Sequence, residues 1–335
     1  MIIHYNFIFS DMPGVQKKLK DMSKSTDKFH FRVIDLSDAP RFISLFLAFW
    51  KGFFISPTAE KIIIRHNFVD FSLLFLLLLR CVLRRKTYLE HHSNHLTEFR
   101  RRGVFGRAMS ARETILLRVV QPFITGNIFV SDSVLQQLQR YVGKNNIIME
   151  NGINWPQVAG YRDLRKFGHT DGKIRTIFVA GKFAQWHGLD ILINAIKDDE
   201  EAFSRKFELT IVGDVSNYKL PENVRHIPYL SPHDLYLCLA DCDLAIDSLA
   251  LSRLGLTTSS SLKGKEYIAL GLPILCESYS NDKYRAFSYL FDGDFARIAN
   301  WHNELDMDRL SSVSLDLAKH DYDWKIVLNK LAERL

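Results

Sequence analysis

The residues best placed to do chemistry are the hydroxyls, lysines and lone carboxylate of Ser259-Ser-Ser-Leu-Lys-Gly-Lys-Glu-Tyr-Ile-Ala-Leu-Gly-Leu-Pro-Ile-Leu-Cys276. Leu262, Glu266 and Ala269 recur at helical spacing, and Gly271 followed by Pro273 is a stop signal for that helix. Ile274–Cys276 then reads as a buried strand. The start of a helix offers N–H groups without intrahelical partners and a positive dipole end, which suits a phosphate. Glu266 lies roughly 7–8 Å along the axis at ~1.5 Å per residue. That is about the offset from a diphosphate to the ribose of the same nucleotide, and a carboxylate there can accept from both ribose hydroxyls. The same glutamate reads equally well as a surface residue of an ordinary α/β helix.

Other strand-to-helix loops carry compatible groups. Phe178-Val-Ala-Gly181-Lys182-Phe-Ala-Gln-Trp-His187-Gly188 combines a glycine that permits close backbone approach with Lys182 and His187, which can reach a diphosphate. A surface lysine and a capping histidine explain the same residues. Val212-Gly213-Asp214 and Tyr229-Leu230 end two further strands and can border a base. Pro13-Gly14 follows the first strand and lets backbone approach a ligand, although Pro-Gly is common in turns.

Glu90-His91-His92-Ser-Asn-His95 places His91 and His95 four apart, the spacing of a metal pair. There is no glutamate partner of the usual kind, so a substrate hydrogen bond or a buried structural histidine is the better reading. Asp292-Gly-Asp294 has a metal-binding spacing but reads as a turn. Neither G-x-G-x-x-G nor G-x-x-x-x-G-K-[ST] occurs, which counts against a nicotinamide dehydrogenase and a P-loop enzyme.

The elements that must position these loops alternate along the chain. Strands are predicted at Ile2–Phe9, Phe29–Leu36, Lys61–Arg65, Thr87–Glu90 and Asn127–Val130, with helices near 14–24, 41–54, 69–85, 111–124 and 132–142. Asn151-Gly-Ile-Asn-Trp-Pro156 is a turn cluster, and Gln157–Gly172 reads as a linker. The pattern then restarts. Strands are predicted at Arg175–Ala180, Glu208–Val212, Val224–Ile227, Asp243–Ile246 and Ile274–Cys276, with Arg297–Ile298 completing that sheet. Helices are predicted at Leu189–Lys197, Pro232–Ala240 and about 306–319. This alternation predicts two parallel sheets covered on both faces, with ligands at the strand C-terminal ends. The domains are expected at 1–156, joined by a C-terminal helix of about 321–335, and at 157–320.

A chain of 335 residues accommodates two domains, and 47% hydrophobic with 24% charged residues is a globular composition. The cysteines at 81, 238, 242 and 276 form no C-x-x-C, so a disulfide scaffold or zinc site is not expected and the cytoplasm is the default. Met1–Phe9 reads as a strand, not a signal peptide. Phe42–Phe54, interrupted by Lys51, and Phe68–Leu83, containing Asp70 and Arg80, are shorter than the ~20 residues a spanning helix needs. Residues 1–150 hold 22 Lys+Arg against 12 Asp+Glu, net +10, and the remainder is net −4. Basic clusters beside apolar helices suit an anionic membrane surface better than nucleic acid, for which no motif is present.

Together these segments resemble the family 4 retaining glycosyltransferases, which have the GT-B fold of two doubly wound Rossmann-like domains with a cleft between them. Phe129-Val-Ser131 through Ile147-Ile-Met-Glu-Asn151-Gly152-Ile-Asn154 is similar to the family's unit closing in "NGxD". Ala180-Gly181-Lys182 through His187-Gly188 resembles its "GR…KG" phosphate loop. Glu266 through Pro273 resembles "EAxAxGxP", and Asp321-Tyr-Asp-Trp324 the aromatic element before the final helix.

The resemblance implies transfer of a sugar from a nucleoside diphosphate sugar to a glycan or lipid-linked acceptor in surface polysaccharide biosynthesis. It implies a metal-independent hexosyltransferase with no cofactor beyond its sugar donor, working in the cytoplasm or peripherally on the inner face of the membrane. Catalytic roles fall on His92, Lys182 and Glu266, with His91 the alternative if the register differs by one. Gly14, Gly181, His187, Gly213, Tyr229, Thr258, Ser260, Ser261 and Leu262 would bind the donor. Three positions depart from the family. Thr258 stands where the first glutamate of E-x7-E is expected and cannot supply its charge. Lys182 replaces an arginine and loses its bidentate fork, and His187 replaces a lysine and is charged only when its pKa allows. These departures motivate a second reading, a non-catalytic nucleotide-binding scaffold. A sugar-nucleotide epimerase on the same fold ranks third, because the "EAxAxGxP" block belongs to transferases.

Overall fold

The computed structural model describes residues 2–8, 13–35, 59–65, 71–100, 103–143, 145–165, 172–258, 260–279 and 281–335. The expected 41–54 helix lies outside them. The contacts divide the chain into two compact units, Met1–Glu150 with Val327–Leu335, and Asn151–Ile326.

The first unit is a six-stranded parallel sheet. Its strands are β1 (Ile2–Ile8), β2 (Phe29–Asp35), β3 (Lys61–Arg65), β4 (Lys86–His91), β5 (Gly126–Phe129) and β6 (Asn146–Ile148). They run in the order β2-β1-β3-β4-β5-β6. Ile62 and Ile64 of β3 and Leu89 of β4 pack under Leu73, Leu76 and Leu77 of the Phe71–Val82 helix and Val120 of the Gly103–Val120 helix. Arg80, which interrupts the apolar run in the sequence, is fully buried. Its guanidinium donates to Thr87 Oγ1 at 2.8 Å, Lys86 O at 2.8 Å and Ala59 O at 3.0 Å. The charge therefore ties the helix to the strand starts, and the run is an amphipathic core helix. Among the described residues no helix is long and apolar enough to cross a membrane.

The second unit is also a six-stranded parallel sheet, made of β7 (Ile174–Lys182), β8 (Phe207–Asp214), β9 (Val224–Ile227), β10 (Leu244–Ile246), β11 (Ile274–Cys276) and β12 (Ser288–Leu290). Its order is β12-β11-β10-β7-β8-β9. Adjacent residues of one strand serve opposite cores. Ile177 packs with Tyr267, Ile268 and Ala245 on one face, and Phe178 packs with Leu192, Leu244 and Phe295 on the other. That two-sided burial is why these strands read as continuous apolar runs. The winding reverses between β7 and β10, so the C-terminal ends of these two strands flank the topological switch point of the sheet.

Two expectations need correction. Arg297–Ile298 is not a strand but part of the Phe295–Asn303 helix, capped by Asp294, whose carboxylate accepts from Arg297 N–H at 2.9 Å. The sixth strand is Ser288–Leu290, which pairs with β11. Gln157–Gly172 is not a linker as far as Arg165. Trp155–Arg162 is a helix within the second unit, and Arg162 Nη1 donates to Ala269 O at 2.8 Å while Arg165 Nη1 donates to Leu270 O at 3.1 Å and to Gly271 O. These arginines satisfy carbonyls that the end of the Leu262–Leu270 helix leaves without partners.

Candidate functional site

The Leu262–Leu270 helix forms with Gly271 as its left-handed C′ residue, at φ +74°. Ser261 is its N-cap, and Gly264 N–H donates to Ser261 Oγ at 2.9 Å. The same hydroxyl donates to Asp247 Oδ2 at 2.9 Å, which anchors the helix start to the residue that follows β10. Ser260 Oγ accepts from Asn151 N–H at 3.1 Å. Asn151 is thereby tied to the hydroxyl loop, while its neighbour Ile153 donates its N–H to Tyr322 O at 2.7 Å and accepts from Trp324 N–H at 2.9 Å. Trp324 is fully buried, and a Cβ on Gly152 would lie 2.8 Å from its ring. Asn151–Ile153 and Tyr322–Trp324, distant in sequence, are thus one contact. Leu262 opens the helix and is half-buried; Thr258 is exposed.

Glu266 projects from the middle of that helix. Its Oε1 accepts from Tyr236 Oη at 2.7 Å. Tyr236 belongs to the Pro232–Ala240 helix and stacks on Tyr161, with ring centroids 4.9 Å apart and planes 20° apart.

The β7 loop approaches from the other side of the switch point. Gly181 ends in open space, with nothing within 4 Å of where a Cβ would stand. Gly213, at φ +128°, is its opposite: a Cβ there would lie 1.6 Å from Ala180 O. Close packing of the β7 and β8 ends therefore demands glycine at 213. Lys182 is mostly exposed and stands 3.8 Å from Asp214 Oδ2. Tyr229 is exposed beyond β9.

His187 is fixed by its own turn. Ala184 N–H donates to its Nδ1 at 2.9 Å. Burial, with the nearby Lys263 ammonium, pushes its pKa down to about 3. It is a neutral capping ring whose remaining proton is on Nε2.

Lys263, in the first turn of the Leu262–Leu270 helix, was not among the expected site residues. Its Nζ donates to Val179 O at 3.3 Å, stands 3.5 Å from Asp247 Oδ1 and lies 4.9 Å from the centroid of the Phe178 ring. The signal in the sequence was its place one turn before Glu266. Asp247 was legible only as a charge closing an apolar strand.

In the first unit, Gly14 is the second residue of the Pro13–Ser25 helix, behind a proline suited to a helix start. His92 immediately follows β4. Its Nε2–H donates to Glu90 Oε1 at 2.8 Å, and Lys18 Nζ lies 3.2 Å from the same nitrogen and 3.4 Å from Nδ1, which can accept from it. Glu90 is buried and also meets His4 Nε2 at 2.8 Å and Lys18 Nζ at 3.3 Å. Although burial alone would raise it, His92, Lys18 and His4 hold its pKa well below the ordinary carboxylate range. Burial, with Arg65 nearby, pushes His92 down to about 3. His91 is fully buried, stacked on Phe129, with Nε2 3.0 Å from Asn127 Oδ1. His91 is therefore a core residue, and of the two His92 is the one at the sheet end. Asp292 and Asp294 form the expected turn: Asp292 Oδ1 accepts from Asp294 N–H at 3.0 Å.

No protein-family model matches the sequence, and no curated protein does. Solved structures do match. Sucrose-phosphate synthase from Thermosynechococcus elongatus is similar at a TM-score of 0.67 and 12% identity, over 99% of this chain and 97% of that one. Trehalose-6-phosphate synthase OtsA is similar at 0.67 and 10% identity, over 99% and 98%. The lipopolysaccharide outer core galactosyltransferase WaaB in its apo form is similar at 0.58 and 10% identity, over all of both chains. At these identities the likeness is one of fold. Two doubly wound α/β units matched to those structures over the full chain define the GT-B fold.

Proposed function

We propose that the chain is a retaining glycosyltransferase that moves a sugar from a nucleoside diphosphate sugar to a glycan or lipid-linked acceptor in surface polysaccharide assembly. The observation that carries this reading is the gathering, at the β7/β10 switch point, of the capped start of the Leu262–Leu270 helix, the open glycine of the 181–188 loop and, one turn and more along the same helix, Glu266 held by Tyr236. In this reading Glu266 grips the ribose, the helix start and the 181–188 loop take the diphosphate, and Gly213 and Tyr229 border the base. His92 and Gly14 belong to the sugar and donor side of the first unit.

The hard step is departure of the diphosphate, on which negative charge grows while the sugar ring becomes positive. Fixed N–H donors at the helix start and the adjacent ammonium groups stabilise that leaving group without reorganising. His187 Nε2–H acts there as a neutral donor. Thr258 can donate to a sugar hydroxyl but brings no charge. Donor phosphates handled this way need no metal ion.

The acceptor side of the proposal rests on the first unit. Phe75, Leu78 and Val82 are exposed on one stripe of the Phe71–Val82 helix, and Arg84 and Arg85 follow it directly. An apolar stripe followed by cations suits an anionic bilayer carrying a lipid-linked acceptor, on the cytoplasmic face where sugar nucleotides are made.

The alternative is a scaffold that keeps a nucleotide pocket without turnover, favoured by the neutral His187 and by Thr258. Incubating the purified protein with a panel of labelled nucleoside diphosphate sugars separates the two. Donor hydrolysis or transfer that is lost in Glu266→Ala supports the enzyme; nucleotide binding with no turnover of any donor supports the scaffold.

A further inference from the structure

We propose that Lys263 supplies the positive charge that meets the donor diphosphate in this chain; this rests on the donor-binding reading above. The two residues that the resemblance would charge with that task are poorly placed for it. His187 is a neutral ring with its Nδ1 committed to Ala184 N–H. Lys182 is mostly exposed and shares its charge with Asp214 at 3.8 Å, so solvent screens it and its side chain must be ordered on binding.

Lys263 differs on each count. Its ammonium straddles the switch point, donating to Val179 O of β7 at 3.3 Å and standing 3.5 Å from Asp247 Oδ1, beyond the end of β10. The Phe178 ring lies beneath it at 4.9 Å, a favourable cation–π distance. It is therefore held in place before any ligand arrives. An ammonium has three N–H donors. Val179 O and Asp247 take two, and the third has no acceptor among the described residues. The ion pair is also oriented. The Asp247 side chain is 5% exposed and that of Lys263 is 16% exposed, so the lysine is the less buried partner. Asp247 is occupied from behind by Ser261 Oγ, and Gly264 leaves room for this packing because a Cβ there would lie 2.8 Å from both.

Calorimetric titration of UDP, ADP, GDP and dTDP into the full chain identifies the nucleotide that binds, and its nucleoside serves as the phosphate-free control. Lys263→Met should weaken the nucleoside diphosphate by about ten- to a hundredfold, the loss expected for a charge-assisted hydrogen bond, and leave the nucleoside unchanged. Lys263→Arg should restore most of the affinity. Because Lys263→Met strands Asp247, the paired change Asp247→Asn with Lys263→Met removes both charges together. It should melt close to the parent and show the same selective loss. Wild-type diphosphate affinity in the folded paired variant, or equal losses for nucleoside and diphosphate, overturns the assignment. If none of the four diphosphates binds the unaltered protein, the donor-binding reading falls and the assignment with it.

Discussion

The hydroxyl of Tyr236 donates to Oε1 of Glu266 at 2.7 Å from a tyrosine that is itself buried. This contact holds the carboxylate from a neighbouring helix, so the geometry of the proposed ribose contact is set outside the helix that carries it. Tyr236→Phe keeps the stack on Tyr161 and removes the donor. It is expected to cost about 1 kcal/mol of stability and to raise the donor KM several-fold, whereas Glu266→Ala should abolish measurable turnover. Steady-state kinetics with thermal melting check both. A Tyr236→Phe protein with unchanged KM would show that the phenol does not orient the acid.

Two glycines in adjacent loops should respond oppositely. Gly213→Ala forces a Cβ into Ala180 O at a backbone angle that L-residues avoid, and should destabilise the second unit by about 3 kcal/mol. Gly181→Ala meets nothing, so its stability should stay within about 0.5 kcal/mol of the parent while nucleoside diphosphate affinity falls. Urea unfolding and calorimetry distinguish the two effects. A Gly181→Ala protein that binds like the parent removes this loop from the site.

Acid should destabilise the protein earlier than carboxylate protonation alone explains. His92 and His187 are both pushed from 6.5 down to about 3 by burial. Between those values the unfolded chain takes up protons that the folded chain refuses, so stability is complete above pH 6.5 and falls as pH drops toward 3. Glu90, held well below 4.5 in the fold, acts in the same direction once the unfolded carboxyl protonates. The urea midpoint should decline from pH 6.5 to 4.5, and His187→Asn, which keeps an acceptor for Ala184 N–H, should flatten part of that decline. A midpoint constant across this range contradicts the neutral-histidine assignments.

Transfer should proceed undiminished in EDTA, because the proposed leaving-group donors are N–H groups and ammonium ions. An absolute requirement for Mn²⁺ would overturn the mechanism.

Liposomes rich in phosphatidylserine should carry the protein upward on flotation, and neutral phosphatidylcholine liposomes should not. Arg84→Gln with Arg85→Gln should reduce the bound fraction roughly tenfold or more, at about 1 kcal/mol per basic residue near an anionic surface. Leu78→Ser with Val82→Ser tests the apolar stripe. Equal flotation on both lipids would leave the basic clusters as solvated faces.

What local rules govern was legible in the residues themselves. Gly271 as the helix stop and Ile274–Cys276 as a strand both follow from side-chain chemistry within a few residues. The two runs of alternating strands and helices sufficed for two parallel sheets, since only crossover helices can join parallel neighbours. The sequence also placed the glycines of the strand ends, at 181 and 213, without indicating that one stands in open space and the other against a carbonyl. One error lies where the deciding contact is distant, the other where a cap three residues earlier decides. Trp155–Arg162 looks polar and aperiodic because Arg162 and Arg165 are used to satisfy carbonyls at 269–271, more than a hundred residues away. Arg297–Ile298 resembles a strand in isolation, but the cap at Asp294 turns it into helix. Which charges are live was decided only in three dimensions. Lys263 lies five residues from Thr258 and three from Glu266, yet its partners Val179 and Asp247 arrive from β7 and from the residue after β10, and burial, with Lys263 beside it, keeps His187 neutral. Desolvation and pairing depend on what the fold brings within a few ångströms, and no spacing along one strand or helix encodes that.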